Sequence, residues 1–399
     1  MRLLPRVTIA ALLALAPLSA GATASWAAPE PTPAPLFTAT DAVPGTYIVI
    51  LDAGTDPAKL AASLGLEPAF LYTSAVNGFA VPLTPGQLAT VRASPGVKSV
   101  EEDARVAAPP QPATPPGSRA PAASWGLDRI DQRAWDAGNG VGDGQFTTAG
   151  HGAGVTAYIL DTGIEYAHEE FGGRAVFGFD AVGDGREGGD CNGHGTHVAG
   201  TVGGRTYGVA NEAALVSVRV LDCEGRGTYS ALIAGFDWVA SNARQPAVLN
   251  GSLGGDRSAA LNEAANALAD AGVLPVVAAG NEAQDACRVS PASAARVVTV
   301  AASDRGDEQA AFSNWGPCVS LYAPGQEIPS ARLGGGIVTL DGTSMAAPHV
   351  TGVAALYKEA HPGARPAEID TWLRQEATRD VLSRVGRGTP NRLLFTGGL

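Results

Sequence analysis

The feature that most constrains the fold is a regular alternation of short apolar runs and helix-like segments after residue 125. Residues 155–160 (VTAYIL) and 215–221 (LVSVRVL) are almost continuously apolar, which is typical of strands covered on both faces of a sheet. Further strand-like runs lie at 247–250, 274–278, 297–301 and 319–322, and helical spacing is found at 229–240, 259–271 and 344–360. This alternation predicts an α/β fold with a mainly parallel sheet and an active site beyond the carboxyl ends of its strands.

Residues 45–106 predict a small α+β domain in front of this α/β domain. Strand-like runs lie at 47–51, 77–81 and 97–100, and helix-like runs lie at 57–64 and 84–93. The preceding residues 29–44 are rich in Pro, Thr and Ala and predict a flexible lead. Residues 107–124 are rich in proline, without an apolar period, and predict an exposed linker that is easily cut. The α/β domain is therefore expected to span residues 125–399.

The first 28 residues predict a secretory signal peptide. Arg2 and Arg6 supply the positive start, residues 7–18 are apolar, and small-residue cleavage sites follow at 22–24 and 25–27. The apolar run is shorter than the roughly 20 residues that a membrane-spanning helix needs. We therefore expect a secreted, extracellular protein that is not attached to a membrane.

Charge and cysteine content narrow the possible functions. Acidic residues outnumber basic ones by 39 to 27, which gives a net charge of −12 and disfavours a nucleic-acid-binding protein. The chain has four cysteines, and an even number in an exported chain argues for disulfides. Spacing alone leaves all three possible pairings open.

Three short segments contain residues that catalysis could use. They are Asp161-Thr162-Gly163, directly after the run at 155–160, residues 193–200 (GHGTHVAG), and residues 342–349 (GTSMAAPH). Taken singly, Asp161 could form a turn, His194 could be a loop histidine, and Ser344 could cap a helix. Together they supply the carboxylate, base and nucleophile of acyl transfer. A helix N-terminus at Ser344 would also favour developing negative charge.

With these motifs, residues 125–396 resemble the subtilisin-like serine proteases, specifically the proteinase K-like branch and its aqualysin-type enzymes. The stretches that carry the resemblance are WGLDRIDQ at 125–132, DCNGHGTH at 190–197, SLGG at 252–255, AGN at 279–281 and PNRLL at 390–394. Residues 45–106 resemble the subtilisin propeptide family through YIV at 47–49, NGF at 77–79 and VEED at 100–103. The resemblance implies a three-layer fold preceded by an inhibitory propeptide that assists folding.

The resemblance also implies roles for individual residues. Asp161 would be the orienting carboxylate, His194 the general base and then acid, and Ser344 the nucleophile. Asn281 would donate to the oxyanion, whereas His197 would not be the base. The implied protein is a secreted, monomeric serine endopeptidase of broad specificity, made as a self-processing zymogen, whose partners are protein and peptide substrates and its own propeptide.

Two segments match those between which the family binds an extended peptide as an added strand. They are Gly225-Arg226-Gly227 and Ser252-Leu253-Gly254. Arg226 is a departure, because small polar residues are usual at that position. We expect Arg226 to favour acidic side chains near the cleavage site.

The resemblance further implies the disulfides Cys191–Cys223 and Cys287–Cys318. It implies no cofactor for catalysis, but structural calcium is expected in the family. One family site uses the carbonyls of Ala295 and Val297 with an Asp where this chain has Ser320, so we expect that site to be weakened or lost. A second candidate site, to be weighed against a solvated acidic turn, consists of Asp128, Asp131 and Gln132.

Three other functions fit parts of the sequence less well. Cys191, His194 and His197 have a spacing that suits zinc, but a disulfide at Cys191 would remove the thiolate. A non-catalytic secreted binding protein on a protease scaffold would usually have lost a catalytic residue, and none is lost here. The glycines of residues 150–154 (GHGAG) precede their strand instead of following it, which argues against dinucleotide binding.

Overall fold

The structure is a computed structural model that describes residues 32–108, 124–140 and 142–399. The predicted signal peptide at 1–28 and most of the predicted linker at 107–124 lie outside the described residues. Residues 33–399 form one compact unit, so the two predicted domains are described together.

The N-terminal domain is a mixed sheet with two helices. Its elements are β1 (Leu36–Phe37), β2 (Ala42–Leu51), α1 (Pro57–Ser63), β3 (Phe70–Tyr72), β4 (Gly78–Pro82), α2 (Pro85–Ala93) and β5 (Val97–Ala107). The strand order is β1-β5-β2-β4-β3. Successive residues of β2 point to opposite faces: Val49 packs in the core of this domain, whereas Ile48 packs in a core shared with the α/β domain.

The start of this domain corrects one expectation. Residues 29–44 do not form a flexible lead throughout, because Leu36 and Phe37 pair with Val100 and Glu101 of β5, and β2 already begins at Ala42. The apolar side chain of Leu36 packs against the core of the N-terminal domain, which holds this segment to the sheet. Composition alone did not reveal this contact.

The α/β domain contains the predicted parallel sheet. Its elements are α3 (Trp125–Ile130), β6 (Thr156–Asp161), β7 (Ala175–Asp180), α4 (His194–Gly203), β8 (Ala214–Arg219), β9 (Arg226–Thr228), α5 (Tyr229–Asn242), β10 (Ala247–Gly251), β11 (Gly255–Asp256), α6 (Ala259–Asp270), β12 (Leu274–Ala278), β13 (Val289–Ser290), β14 (Val298–Ser303), β15 (Leu321–Pro324), β16 (Ile328–Ala331), β17 (Ile337–Leu340), α7 (Thr343–Ala360), α8 (Pro366–Glu376), β18 (Thr378–Arg379) and β19 (Arg392–Leu393). The strand order of the main sheet is β18-β19-β15-β14-β12-β10-β6-β8-β7. Its neighbouring strands are parallel except β18 and β19.

The two faces of the central strands bury different side chains, which explains the unbroken apolar runs. In β6, Ala157 and Ile159 pack in the cluster that contains residues of α4 and α7. Tyr158 and Leu160 pack in the cluster that contains residues of α5 and α6. The predicted three-layer α/β fold is therefore confirmed, and the carboxyl end of β6 lies at the edge of the sheet where the sequence predicts the active site.

Candidate active site

Asp161 and His194 meet at the carboxyl edge of the sheet. Asp161 is the last residue of β6, and His194 is the first residue of α4. His194 Nδ1 lies 2.7 Å from Asp161 Oδ1, and both side chains are buried. Gly193, at φ 105°, turns the chain into α4, a conformation that favours glycine. A Cβ on Gly195 would lie 2.2 Å from the Gly163 carbonyl oxygen, so glycine permits this close approach.

The electrostatic surroundings of His194 favour its charged form. Burial lowers the pKa of His194, but the charge of Asp161, their hydrogen bond and the charge of Asp190 outweigh burial, so the pKa is raised. Asp190 itself accepts the backbone N–H groups of Gly193 and Thr196 at 2.9 Å. The imidazolium that forms when His194 accepts a proton is therefore stabilised within the site.

Ser344 is the second residue of α7, which packs against α4. Its Oγ donates to the Ser252 carbonyl oxygen at 3.1 Å. His194 Nε2 is buried and has no hydrogen-bond partner among the described residues. The structure therefore contains the base–carboxylate contact but not a Ser344–His194 hydrogen bond, which in many enzymes tightens only when substrate is bound.

Asn281 lies beside the start of α7, three residues after β12. Its Oδ1 accepts the N–H of Thr343 at 2.9 Å and the Thr343 hydroxyl at 3.0 Å. With Oδ1 engaged, Nδ2 is the donor end of this amide, and it lies 3.7 Å from the Cβ position of Gly342. An oxyanion next to Ser344 could receive a hydrogen bond from this group.

The end of the N-terminal domain lies in the cleft next to Ser344. β5 pairs antiparallel with β9, with Val106 opposite Gly227 and Ala107 opposite Arg226. The Ala108 N–H donates to the Gly225 carbonyl oxygen at 2.7 Å. The predicted linker therefore starts too early at residue 107, because these two alanines are held by backbone hydrogen bonds that composition does not reveal.

A cavity of about 450 Å³ extends from this strand to Ser344. Leu253 and Gly254 of the second predicted substrate segment line it, as do Ala108 and Asn281. The first predicted segment does not line this cavity but pairs with β5 through Arg226 and Gly227. Two exposed carboxylates, Asp256 and Glu282, also line this cavity, whereas none of its lining residues is Lys, Arg or His.

Asp237 of α5 holds a loop of the N-terminal domain. Its Oδ1 accepts the backbone N–H groups of Ser74 and Ala75, each at 2.7 Å, and that of Thr73 at 3.1 Å. Thr73 N also lies 3.2 Å from Oδ2. Asp237 is buried. Sequence reasoning missed this contact, because an Asp within a helix carries no signal of a partner more than 160 residues away.

Two carboxylates of β5 bind the N-termini of neighbouring helices. Asp103 accepts the Ser230 N–H at 3.0 Å and the Ser230 hydroxyl at 2.6 Å at the start of α5. Glu101 accepts the Ala260 N–H at 3.2 Å at the start of α6. Negative charge at these positions is favourable, although burial raises the pKa of both carboxyls. The VEED motif contains both residues, but the sequence did not indicate which backbone groups they would bind.

Both disulfides are formed. Cys191 is bonded to Cys223, and Cys287 to Cys318, the pairs that the resemblance implies. Cys191 therefore offers no thiolate for the alternative zinc site. His197 contacts the carbonyl oxygens of Ile328 and Val338 through Nε2, and burial lowers its pKa to about 3. His197 thus packs as a neutral neighbour of His194.

Of the candidate calcium residues, Asp128 is already surrounded by hydrogen-bond donors. Asp128 accepts the N–H of Gly142 on Oδ2 at 3.1 Å and that of Gly144 on Oδ1 at 3.0 Å. Gln132 Nε2 also lies 2.6 Å from Asp128 Oδ1. Because donors from three residues surround the Asp128 carboxylate, it does not fit a calcium ligand.

Asp131 is different, because one of its oxygens is buried without a partner among the described residues. Oδ2 accepts the Thr147 N–H at 2.7 Å, whereas Oδ1 is the unpartnered atom. Burial raises the pKa of Asp131 to about 6, and the charges of Asp143 and Asp128 add to the effect. A bound cation would relieve both the burial and the repulsion.

At the other family calcium site, a basic side chain contacts Ser320. Ser320 Oγ accepts from Arg374 Nη2 at 2.7 Å and from the Thr299 N–H at 3.1 Å. Arg374 Nε donates in turn to Asp370 at 2.7 Å. A guanidinium beside Ser320 would repel a divalent cation, which supports the expectation that this site is weakened or lost.

Comparison with protein families identifies two matching regions. Residues 152–394 match the model of the Subtilase family, and residues 70–108 match the model described as Peptidase inhibitor I9. The inhibitor match ends at Ala108, one residue after the end of β5. Among the described residues, no helix is long and apolar enough to cross a membrane.

Individual relatives agree with these matches. The chain is 45% identical to "Extracellular serine proteinase" of Thermus sp. (strain Rt41A), over 90% of this chain and 91% of the relative. It is 41% identical to "Alkaline serine exoprotease A" of Vibrio alginolyticus, over 92% of this chain and 71% of the relative. A crystal structure of a cold adapted subtilisin-like serine proteinase is 49% identical, with a TM-score of 0.67, and the match covers 69% of this chain and 99% of that one.

Proposed function

Because the chain belongs to the subtilase family and is a subtilisin-like serine proteinase, we propose that it is a secreted endopeptidase with an Asp161–His194–Ser344 triad. The observation that carries this proposal is the buried 2.7 Å contact between His194 Nδ1 and Asp161 Oδ1, on the edge of the sheet where α7 begins with Thr343 and Ser344. The substrates are proteins and peptides of broad sequence.

In the first half of the reaction, Ser344 Oγ attacks the scissile carbonyl carbon while His194 Nε2 takes the hydroxyl proton. Asp161 holds the Nδ1–H and stabilises the imidazolium. The carbonyl oxygen, now negatively charged, accepts hydrogen bonds from Asn281 Nδ2 and the Ser344 N–H. The C–N bond then breaks, His194 gives its proton to the leaving amine, and an acyl-enzyme remains on Ser344.

In the second half, His194 takes a proton from water, and the resulting hydroxide attacks the ester carbonyl. The same two donors stabilise the oxyanion again. Collapse of this intermediate breaks the ester bond, and the proton on His194 returns to Ser344 Oγ. For this reaction the Ser344 hydroxyl exchanges its hydrogen bond to the Ser252 carbonyl for one to His194 Nε2.

The N-terminal domain acts as an inhibitor until it is cut away. Its last strand takes the position of a substrate strand on β9. Asp103 and Glu101 of this strand accept backbone N–H groups of α5 and α6, and Asp237 of α5 accepts the N–H of Ala75 in the same N-terminal domain. The signal peptide at 1–28 directs export, and the Thermus relative is named as extracellular. The mature protein is a monomer, cut from its propeptide between residues 107 and 124.

Arg226 favours acidic substrate side chains at the position that Ala107 takes in the cleft. The two residues are directly opposite in the β5–β9 pair, and side chains of such pairs lie on the same face, about 5 Å apart at Cβ. The test compares Glu- and Ala-bearing peptides at this position with wild type and Arg226→Ala. Equal preference in both proteins would exclude this role.

We assign structural calcium to Asp131. The unpartnered Oδ1 and the raised pKa of this carboxyl support the site, which lacks Asp128 as a ligand. The ion contributes to stability and takes no part in catalysis.

The proposed function is tested by casein hydrolysis and intact mass of the secreted wild type and Ser344→Ala. Ser383→Ala, an exposed serine of the same domain, is the matched control. We expect active, shortened wild type and control, and an inert, unprocessed Ser344→Ala. An active Ser344→Ala would refute the triad, and an inactive, full-length wild type would favour a scaffold without catalysis.

A further inference from the structure

The helix that carries Ser344 has an interrupted hydrogen-bond pattern at this residue. In an α-helix the Ser344 carbonyl would accept the N–H of residue 348, four positions later. Residue 348 is Pro348, the sixth residue of α7, and proline has no N–H. The carbonyl of Ser344 is therefore left without its helical donor, although Ser344 is only 2% exposed.

The side chain of Ser252 supplies the missing donor. Ser252 Oγ donates to the Ser344 carbonyl oxygen at 2.8 Å, and the Ser344 hydroxyl donates to the Ser252 carbonyl oxygen at 3.1 Å. The two residues thus exchange two hydrogen bonds, although 92 positions separate them. Fixing the Ser344 carbonyl fixes the backbone from which its Oγ projects.

Two further buried side chains orient Ser252. Asn250 Nδ2 donates to Ser252 Oγ at 2.8 Å. Because a serine hydroxyl has one proton, acceptance from Asn250 directs that proton to Ser344. Thr351 lies two turns further along α7, and its Oγ1 donates to Asn250 Oδ1 at 2.8 Å. This hydrogen bond sets the orientation of the Asn250 amide. All three side chains are fully buried.

We propose that the Ser252 side chain is a positioning residue for the nucleophile: it replaces the helical hydrogen bond that Pro348 removes and so holds Ser344 in place. The inference rests on the proposed function, in which Ser344 is the nucleophile. It gives Ser252 a role separate from the substrate binding predicted for residues 252–254, because its side chain bonds to the backbone of α7.

The test is a double-mutant cycle on Ser252→Ala and Pro348→Ala in the full-length chain. Ser252→Ala is expected to lower kcat by about tenfold with KM changed less than about twofold, because the bound substrate meets a misplaced nucleophile. Pro348→Ala restores an N–H to the Ser344 carbonyl, so the double variant is expected to lie within about fivefold of Pro348→Ala alone.

The assay uses a peptide p-nitroanilide, with active sites titrated by a fluorophosphonate so that kcat refers to folded enzyme. Ser330→Ala is the matched control, because Ser330 Oγ donates to a helix carbonyl, that of His197 in α4, at the same 2.8 Å and is equally buried. It is expected to lower the melting temperature without changing kcat per active site. This separates positioning from a purely structural role.

The inference is overturned when Ser252→Ala keeps kcat within twofold of wild type, or when the double variant falls more than fivefold below Pro348→Ala. When Ser252→Ala alone does not fold, the double variant decides by the same fivefold limit. Ser344→Ala runs beside these variants. Its activity would refute the proposed function itself, whereas an inert Ser344→Ala with fully active Ser252→Ala would refute only the positioning role.

Discussion

Replacing Asp237 by asparagine tests how the N-terminal domain is held as an inhibitor. The Asp237 carboxylate accepts three consecutive backbone N–H groups, those of Thr73, Ser74 and Ala75. Asparagine keeps the shape and one oxygen acceptor but removes the charge. A hydrogen bond to a charged group contributes about 1.5–3 kcal/mol and a neutral one about 0.5–1.5 kcal/mol, so each of the three bonds is weakened by about 1 kcal/mol.

Because neighbouring bonds to one oxygen are not additive, we expect a total loss of about 2 kcal/mol. At 1.4 kcal/mol per tenfold, this corresponds to about 30-fold weaker binding of the N-terminal domain. The assay measures the inhibition constant of a peptide spanning residues 33–108 against matured wild type and Asp237→Asn. The burial of Asp237 means that salt should change this difference little.

Glu263→Gln is the matched control for Asp237→Asn. Glu263 forms an ion pair with Lys98 of the N-terminal domain at 2.9 Å, and both side chains are about half exposed. Such exposed pairs contribute about 0–1 kcal/mol, so its inhibition constant should change less than about fivefold. The reasoning is refuted when Asp237→Asn changes the constant by less than threefold, or by no more than Glu263→Gln does.

Three further predictions concern pH, specificity and calcium. In the proposed mechanism neutral His194 is the base, and its pKa is raised above the usual 6.5, so kcat/KM should rise with pH through a midpoint above that value. Asp161→Asn should lower kcat by about 10⁴-fold and shift the midpoint downward, and an unchanged midpoint would contradict the assignment. The carboxylates of Asp256 and Glu282 in the cavity should favour substrates with lysine over those with norleucine at the residue before the cleaved bond. The double variant Asp256→Asn/Glu282→Gln should reduce the ratio of kcat/KM for the two substrates about fivefold at low salt, and an unaltered ratio would contradict this prediction. The pKa of Asp131 is raised from 3.8 to about 6, so the folded state loses stability as pH rises through about 6 and this buried carboxyl becomes charged. Asp131→Asn should therefore raise the melting temperature at pH 8 in EDTA and abolish any rise in melting temperature on adding calcium. A calcium-dependent rise that persists in this variant would exclude the site.

Much of the fold was predictable because its signals are short-range. The unbroken apolar runs predicted central strands, since such strands are buried on both faces, and β6 shows this with alternate side chains in two different clusters. Edge elements carry weaker signals. β7 was missed although residues 175–179 (AVFGF) are apolar, because this run is short and contains a glycine. It lies at the edge of the sheet, where Val176 and Phe177 stay about half exposed.

The position of the candidate site was also predictable, but its geometry was not. Asp161 ends a strand, and His194 and Ser344 begin helices, so a parallel topology brings all three to one edge of the sheet. The orientation of the Ser344 hydroxyl towards Ser252 depends on how α7 packs against the end of β10. No local pattern records that packing.

By itself, the sequence determined what propensity, periodicity and motif chemistry encode: the α/β class, the order of the domains, the family resemblance and the residue types of the site. Only the tertiary structure decided the contacts between distant segments. These include the segment at Leu36 pairing with β5, the hold of Asp237 on residues 73–75, and the Ser252 hydroxyl on the carbonyl that Pro348 leaves without a donor. The physical reason is that side-chain periodicity acts over a few residues, whereas a buried polar group finds its partner only after the chain has packed.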